Sequence, residues 1–79
     1  MDRIGLKNII LEIIQDVGNF DNNEIDENDT FDEVCFDEFK FLDLIMKLEN
    51  EFEIGISNYE YMKNETIKNF IDYIYKLII

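Results

Sequence analysis

Two segments of this chain gather their apolar residues on a single helical face. Leu6, Ile9, Ile10, Ile13, Ile14 and Val17 recur at steps of three and four near the start, and Ile67, Phe70, Ile71, Ile74, Leu77 and Ile78 do the same near the end. That spacing returns side chains to one side of a 3.6-residue helix, so each segment carries a stripe that must be buried against another element. The chain has no proline, so no helix is broken from within. A chain of 79 residues buries only about 60 to 65% of its unfolded surface, which leaves room for one core and predicts a single domain over residues 1–79.

The flanking residues set boundaries. Asp2 is placed to cap the first helix and Gly18-Asn19 to end it. From Asn19 to Cys35 no helical or alternating period survives and Asp, Asn and Glu dominate, which reads as a long solvated loop pinned by Ile25, Phe31 and Phe20. A second helix is expected from near Asp37, an acid suited to a positive helix end, to about Phe52. A short helical turn is expected over Asn58 to Met62, and the last helix from Asn64 to Thr66, either of which can cap it. The expected fold class is therefore all-α, a four-helix bundle of three longer helices and one short one with a long first loop.

Composition narrows the function. Nineteen Asp and Glu against seven Lys and Arg give a net charge of −12, which repels phosphate backbones and anionic lipid heads and attracts basic protein surfaces. Nucleic acid is not an expected partner, and no apolar run approaches the roughly 18 residues of a membrane span. The first twenty residues lack the pattern of a signal peptide. A lone cysteine, Cys35, and no histidine allow neither an internal disulfide nor a zinc site, and a reducing, cytoplasmic setting with a monomeric chain is expected. Asp26, Asn28, Thr30 and Asp32 offer oxygen at alternate positions, but a calcium loop needs Gly at its sixth place and Glu at its twelfth, where Phe31 and Asp37 stand. No metal site is expected.

The segment Phe31-Asp32-Glu33-Val34-Cys35-Phe36-Asp37-Glu38-Phe39, followed by Leu48-Glu49-Asn50-Glu51-Phe52, resembles the prosthetic-group region of acyl and peptidyl carrier proteins, where a loop ending in Asp-Ser-Leu or Asp-Ser-Met opens the second helix. Phe52-Glu53-Ile54-Gly55-Ile56-Ser57 is similar to the Phe-x-Ile-x-Ile-Pro that leaves that helix, and Glu65-Thr66-Ile67 through Ile71-Asp72-Tyr73-Ile74 resembles the start of the final one. The resemblance is most specific over residues 31 to 74. The Phe31 to Asp37 spacing leans toward the D-alanyl and aminoacyl carriers, because fatty-acid carriers tend to have one residue more, usually with a glycine where this chain has Cys35. The resemblance implies a carrier-protein bundle, 4′-phosphopantetheine as the family's prosthetic group, and Glu38 at the position of the cofactor-bearing serine; with no histidine base and no glycine-rich phosphate loop, no catalytic residues are expected.

Glu38 changes that chemistry. Attachment needs a hydroxyl oxygen that attacks the β-phosphorus of coenzyme A and forms a durable ester, whereas a carboxylate would give a mixed anhydride that water hydrolyses. Ser57, the only serine, lies outside the motif and is expected to cap the short helix, as Thr66 is to cap the last. Cys35 is expected to be a small buried hydrophobe. With glutamate at position 38, the chain is thus expected to hold no cofactor.

At 100° per residue, Phe41, Leu44, Ile45, Leu48 and Phe52 share one arc of the second helix, the expected core face. Phe39, Leu42 and Met46 fall on nearly the opposite side, rimmed by Glu38, Asp43, Glu49 and Asn50. An apolar centre with a charged rim has the composition of a docking patch, and the resemblance implies that this side meets partner enzymes with basic surfaces, such as an adenylating enzyme, an acyltransferase or a synthase. The expected partner-binding residues are Asp37, Glu38, Phe39, Leu42, Asp43, Met46 and Glu49. The expected function is an acyl carrier protein-like domain that cannot be loaded and acts by docking. Two others stay open: a functional acyl or aminoacyl carrier in which Glu has replaced the serine at position 38, and a simple oligomerising or antitoxin-like acidic module.

Overall fold

The computed structural model of the chain describes residues 2–19, 25–57 and 59–79. Three α-helices follow in order, α1 (Arg3–Gly18), α2 (Glu38–Phe52) and α3 (Ile67–Ile78), with a short 3-10 helix (Tyr59–Asn64) before the last. Each α-helix begins where the sequence offers an oxygen to its otherwise unpaired first amides. Asp2 accepts from the Gly5 amide at 2.7 Å, Asp37 from that of Lys40 at 2.8 Å, and Thr66 from that of Asn69 at 3.1 Å. The expected short turn over 58–62 is the 3-10 helix; Asn58, like Phe20, lies outside the described residues, and the cap expected of Ser57 rests on that neighbour.

The core is formed by the facing stripes. Leu6, Ile10 and Ile14 of α1, Phe41, Leu44, Ile45 and Leu48 of α2, and Ile67, Phe70, Ile71 and Ile74 of α3 are buried together. No polar or charged side chain is buried among the described residues. Ile13, Val17 and Phe52 pack against this core, and one expectation about the stripes, Leu77, needs correction. Ile9, Ile13 and Val17 are only half-buried, because they lie at the edge of the α1 face whose centre is Leu6, Ile10 and Ile14. Phe52, in the last turn of α2, is half-buried too. Leu77, in the last turn of α3, is exposed. Arg3 Nε contacts Asp72 Oδ1 at 2.6 Å, and Lys7 pairs with Glu27, whose carbonyl accepts from the Lys68 amide. Partners on α3 run from 72 toward 68 as α1 proceeds from 3 to 7, so the helices are antiparallel and the final turn of α3, which carries Leu77, runs past the beginning of α1.

The first connection holds more structure than its composition implies. Residues 30 to 35 form one isolated helical turn. At its start Thr30 and Glu33 exchange hydrogen bonds, the Glu33 amide donating to Thr30 Oγ1 at 3.1 Å and the Thr30 amide to Glu33 Oε1 at 3.3 Å, the reciprocal arrangement of a capping box. At its end the Phe36 amide donates to the Phe31 carbonyl and the Cys35 amide to that of Asp32, with Cys35 at φ 60°. Those two bonds around a left-handed residue are the Schellman closure of a helix, and the apolar contact that accompanies it is Phe31 against Phe36, ring centroids 5.7 Å apart. Cys35 is therefore exposed rather than buried as expected: the left-handed backbone points its side chain away from the core.

The turn is held from two sides. Phe31 is fully buried, its ring edge-on to Phe41 of α2 at 5.0 Å and to Phe70 of α3 at 5.2 Å. The backbone of the loop also covers the start of α3, where the Ile67 amide donates to the Asp29 carbonyl at 2.8 Å and the Lys68 amide to that of Glu27 at 2.7 Å, beside an isolated antiparallel bridge between Thr30 and Thr66. Two substitutions separate these contributions in denaturant unfolding. Phe31→Ala should lower stability by about 3 to 5 kcal/mol, the cost of a large buried aromatic. Cys35→Gly should raise it by about 0.5 to 1 kcal/mol, since glycine adopts positive φ without steric cost; an unchanged or lowered midpoint would show that the turn is not left-handed there in solution.

Candidate functional site

The turn at 30–35 delivers the chain to the N-terminus of α2 in one direction. Phe36 is buried and Asp37 has extended backbone, so its carboxylate returns over the first turn while its carbonyl accepts from the Phe41 amide at 3.0 Å. Glu38 is then the first helical residue, exposed, and the acid in the first turn of α2. A negative group there faces unpaired amides and the positive end of the helix dipole, a favourable place for an anion.

Past Glu38 the two faces of α2 diverge. Phe41, Leu44, Ile45 and Leu48 point inward, while Phe39 is 81% exposed and Met46 66% exposed. Leu42 is half-buried between them, so the outer stripe has two exposed ends and a sheltered middle. Asp37, Glu38 and Asp43 are exposed around it. Asp43, Met46 and Glu49 line one shallow depression together with Lys47 and Asn50, and Lys47 lies 4.0 Å from Asp43 one helical turn away, a pairing that the i, i+4 spacing makes legible.

Glu49 has a second task that sequence reasoning missed. Its Oε2 accepts from the Ile56 amide at 2.9 Å, fixing the segment that leaves α2 after Glu53 turns the chain at φ 54°. The same exit is held farther on by Tyr73, whose hydroxyl donates to the Ser57 carbonyl at 2.5 Å. No spacing rule announces a contact seven residues away across a helix end, and the carboxylate carries nothing in the sequence to separate it from its solvated neighbours.

Comparison with known proteins agrees with this architecture. The family model described as a phosphopantetheine attachment site matches residues 8–74, and the chain belongs to that family of carrier domains. Among solved structures, a crystal structure of an acyl carrier protein from Thermotoga maritima is 33% identical, with a TM-score of 0.77, and the match covers 99% of this chain and 92% of that one. No curated protein sequence matches the chain. The expected all-α carrier fold is thus the one observed, the family uses 4′-phosphopantetheine, and family and fold are those of non-enzymatic carriers that interact with enzymes. Among the described residues no helix is long and apolar enough to cross a membrane.

The two faces of α2 and the Glu49 bond are separable by mutation. Met46→Glu should change unfolding free energy by no more than about 0.5 kcal/mol, as for an exposed site, whereas Leu48→Ala should cost about 2 to 4 kcal/mol. Glu49→Ala should cost about 1 to 2 kcal/mol by leaving the Ile56 amide without its charged acceptor, and thermal or denaturant melts of the three variants provide the check.

Proposed function

We propose that this acyl carrier protein-like domain is not loaded with phosphopantetheine and acts by docking to a carrier-dependent enzyme or assembly through the outer face of α2. The reading rests on Glu38. It follows the Asp37 cap as the first residue of α2 and is exposed, which is where an arm attached at a helix start would be free to swing, and it carries no hydroxyl.

The aliphatic hydroxyls elsewhere do not fit the group. Thr30 Oγ1 is engaged by the Glu33 amide and Thr66 Oγ1 by that of Asn69. Ser57 lies past the opposite end of α2, a helix about 22 Å long at 1.5 Å per residue. Cys35 is exposed, but a thiol gives a thiophosphate linkage rather than the phosphate ester that the family forms. No step through the prosthetic group follows from these residues.

What remains is a binding surface. Phe39 and Met46 supply exposed apolar area, Leu42 joins them, and Asp37, Glu38 and Asp43 surround them with negative charge. Apolar contacts of this kind supply affinity, and the acids steer a basic partner and make its association fall with salt. Glu49 belongs to the same depression and contributes while it holds Ile56. Enzymes with basic docking surfaces, among them adenylating enzymes, acyltransferases and synthases, are the partners this composition suits, and the chain as a whole acts as one carrier-like domain.

Incubation with coenzyme A and a broad-specificity phosphopantetheinyl transferase, followed by intact-mass spectrometry, tests the reading. The unaltered chain should show no change, and Glu38→Ser should gain roughly 340 Da, the mass of the arm. A gain on the unaltered chain would make it a working carrier and overturn the proposal.

A further inference from the structure

Ile9 and Ile13 do not finish the core. They are half-buried and line a groove between α1 and α2, with Glu12 and Asp16 on the α1 side and Lys47 and Glu51 on the α2 side. Its lining along α1 and the C-cap that follows runs from Ile9 to Asn19, about 15 Å along the helix axis. Lys47 and Asn50 belong both to this groove and to the depression holding Met46 and Asp43, so the outer face of α2 continues around the helix into it.

We propose that the groove between α1 and α2 receives a basic, amphipathic helical segment of a partner protein, extending the docking surface of α2 onto α1. The proposal rests on the docking reading and gives the partner a shape. Two partly uncovered isoleucines one helical turn apart ask for an apolar stripe of matching period. Glu12, Asp16 and Glu51 in the same lining ask for lysine or arginine on its flanks, with Lys47 the one cation among the described lining residues. A second copy of this chain is the wrong occupant, because each copy carries a charge of −12 and two such surfaces repel at contact distance. Nucleic acid and anionic lipid are repelled likewise. A helix of about ten residues has the length of the groove.

The test uses a synthetic amphipathic peptide with leucines on one face and lysines on the other, titrated into the isotope-labelled full chain and followed by amide NMR. Shifts should include the amides of Ile9, Ile13, Asp16, Lys47 and Glu51. The double charge reversal Glu12→Lys with Asp16→Lys should weaken binding by about tenfold or more, while the same charge change placed elsewhere, Asp32→Lys with Glu60→Lys, should weaken it by about twofold at most. Equal losses from the two pairs, or no binding at all, would overturn the groove proposal, the former by showing only long-range attraction to an acidic chain. If Met46→Glu abolishes binding and the groove pair does not weaken it, the groove fails and the α2 face stands. If the groove pair weakens binding and Met46→Glu leaves it unchanged, the groove stands and the α2 face fails.

Discussion

The arrangement of this domain depends on one aromatic side chain in its loop. Phe31 is buried to completion between Phe36 of its own turn, Phe41 of α2 and Phe70 of α3, with centroid separations inside the range where tilted and edge-on rings attract. A long loop costs little more closure entropy than a short one, but it does nothing to orient the helix at its far end. Phe31 supplies that orientation. It fixes the turn at 30–35 against both helices, and the turn in turn sets the direction in which Asp37 and Glu38 enter α2. The backbone bonds from Glu27 and Asp29 to the first amides of α3 tie the loop to the end of the core, where those amides would otherwise lack partners.

Much of this was legible. The stripes of α1 and α3, the caps Asp2, Asp37 and Thr66, and the inward and outward faces of α2 all follow from periodicity and from the chemistry of helix ends. Phe31 was legible as a peg because it is a large apolar residue in an acidic stretch. The turn at 30–35 was missed although Thr30-x-x-Glu33 is a capping-box pattern, since a box normally announces a longer apolar helix and here the helix closes after one turn. Free thiols are usually buried, which is why the sequence alone puts Cys35 inside; the left-handed backbone at its position, which favours glycine, outweighs that preference. Leu77 keeps the period of its helix yet is 40% exposed in the last turn, because periodicity assigns a face and does not say how far along the helix that face is covered.

The candidate site was less legible than the fold for a physical reason. An acid on a helix can be solvated, can cap, can pair or can hold a distant amide, and the sequence spells each in the same letter. Asp37 caps, Asp43 lies one turn from Lys47, Glu38 stands exposed at a helix start and Glu49 holds Ile56 across the exit from α2. Those differences arise from where the backbone goes after each residue, which for Glu49 depends on the left-handed Glu53 four residues later. Sequence reasoning found the acidic rim as a group and could not apportion its members.

The core of the bundle and the exposed start of α2 draw on separate residues. The core contains no polar or charged side chain among the described residues, so nothing that stabilises the bundle is drawn from the group that would carry a prosthetic arm. Glu38 is exposed in the first turn of α2, where a carboxylate near the positive end of the helix is favourably placed. Substitution at such a position is therefore cheap in folding terms, and the outer surface of Phe39, Leu42 and Met46 with the acids around it is set by the inward face of the same helix. Because Phe41, Leu44, Ile45 and Leu48 fix the rotation of α2, they also fix which residues it turns outward.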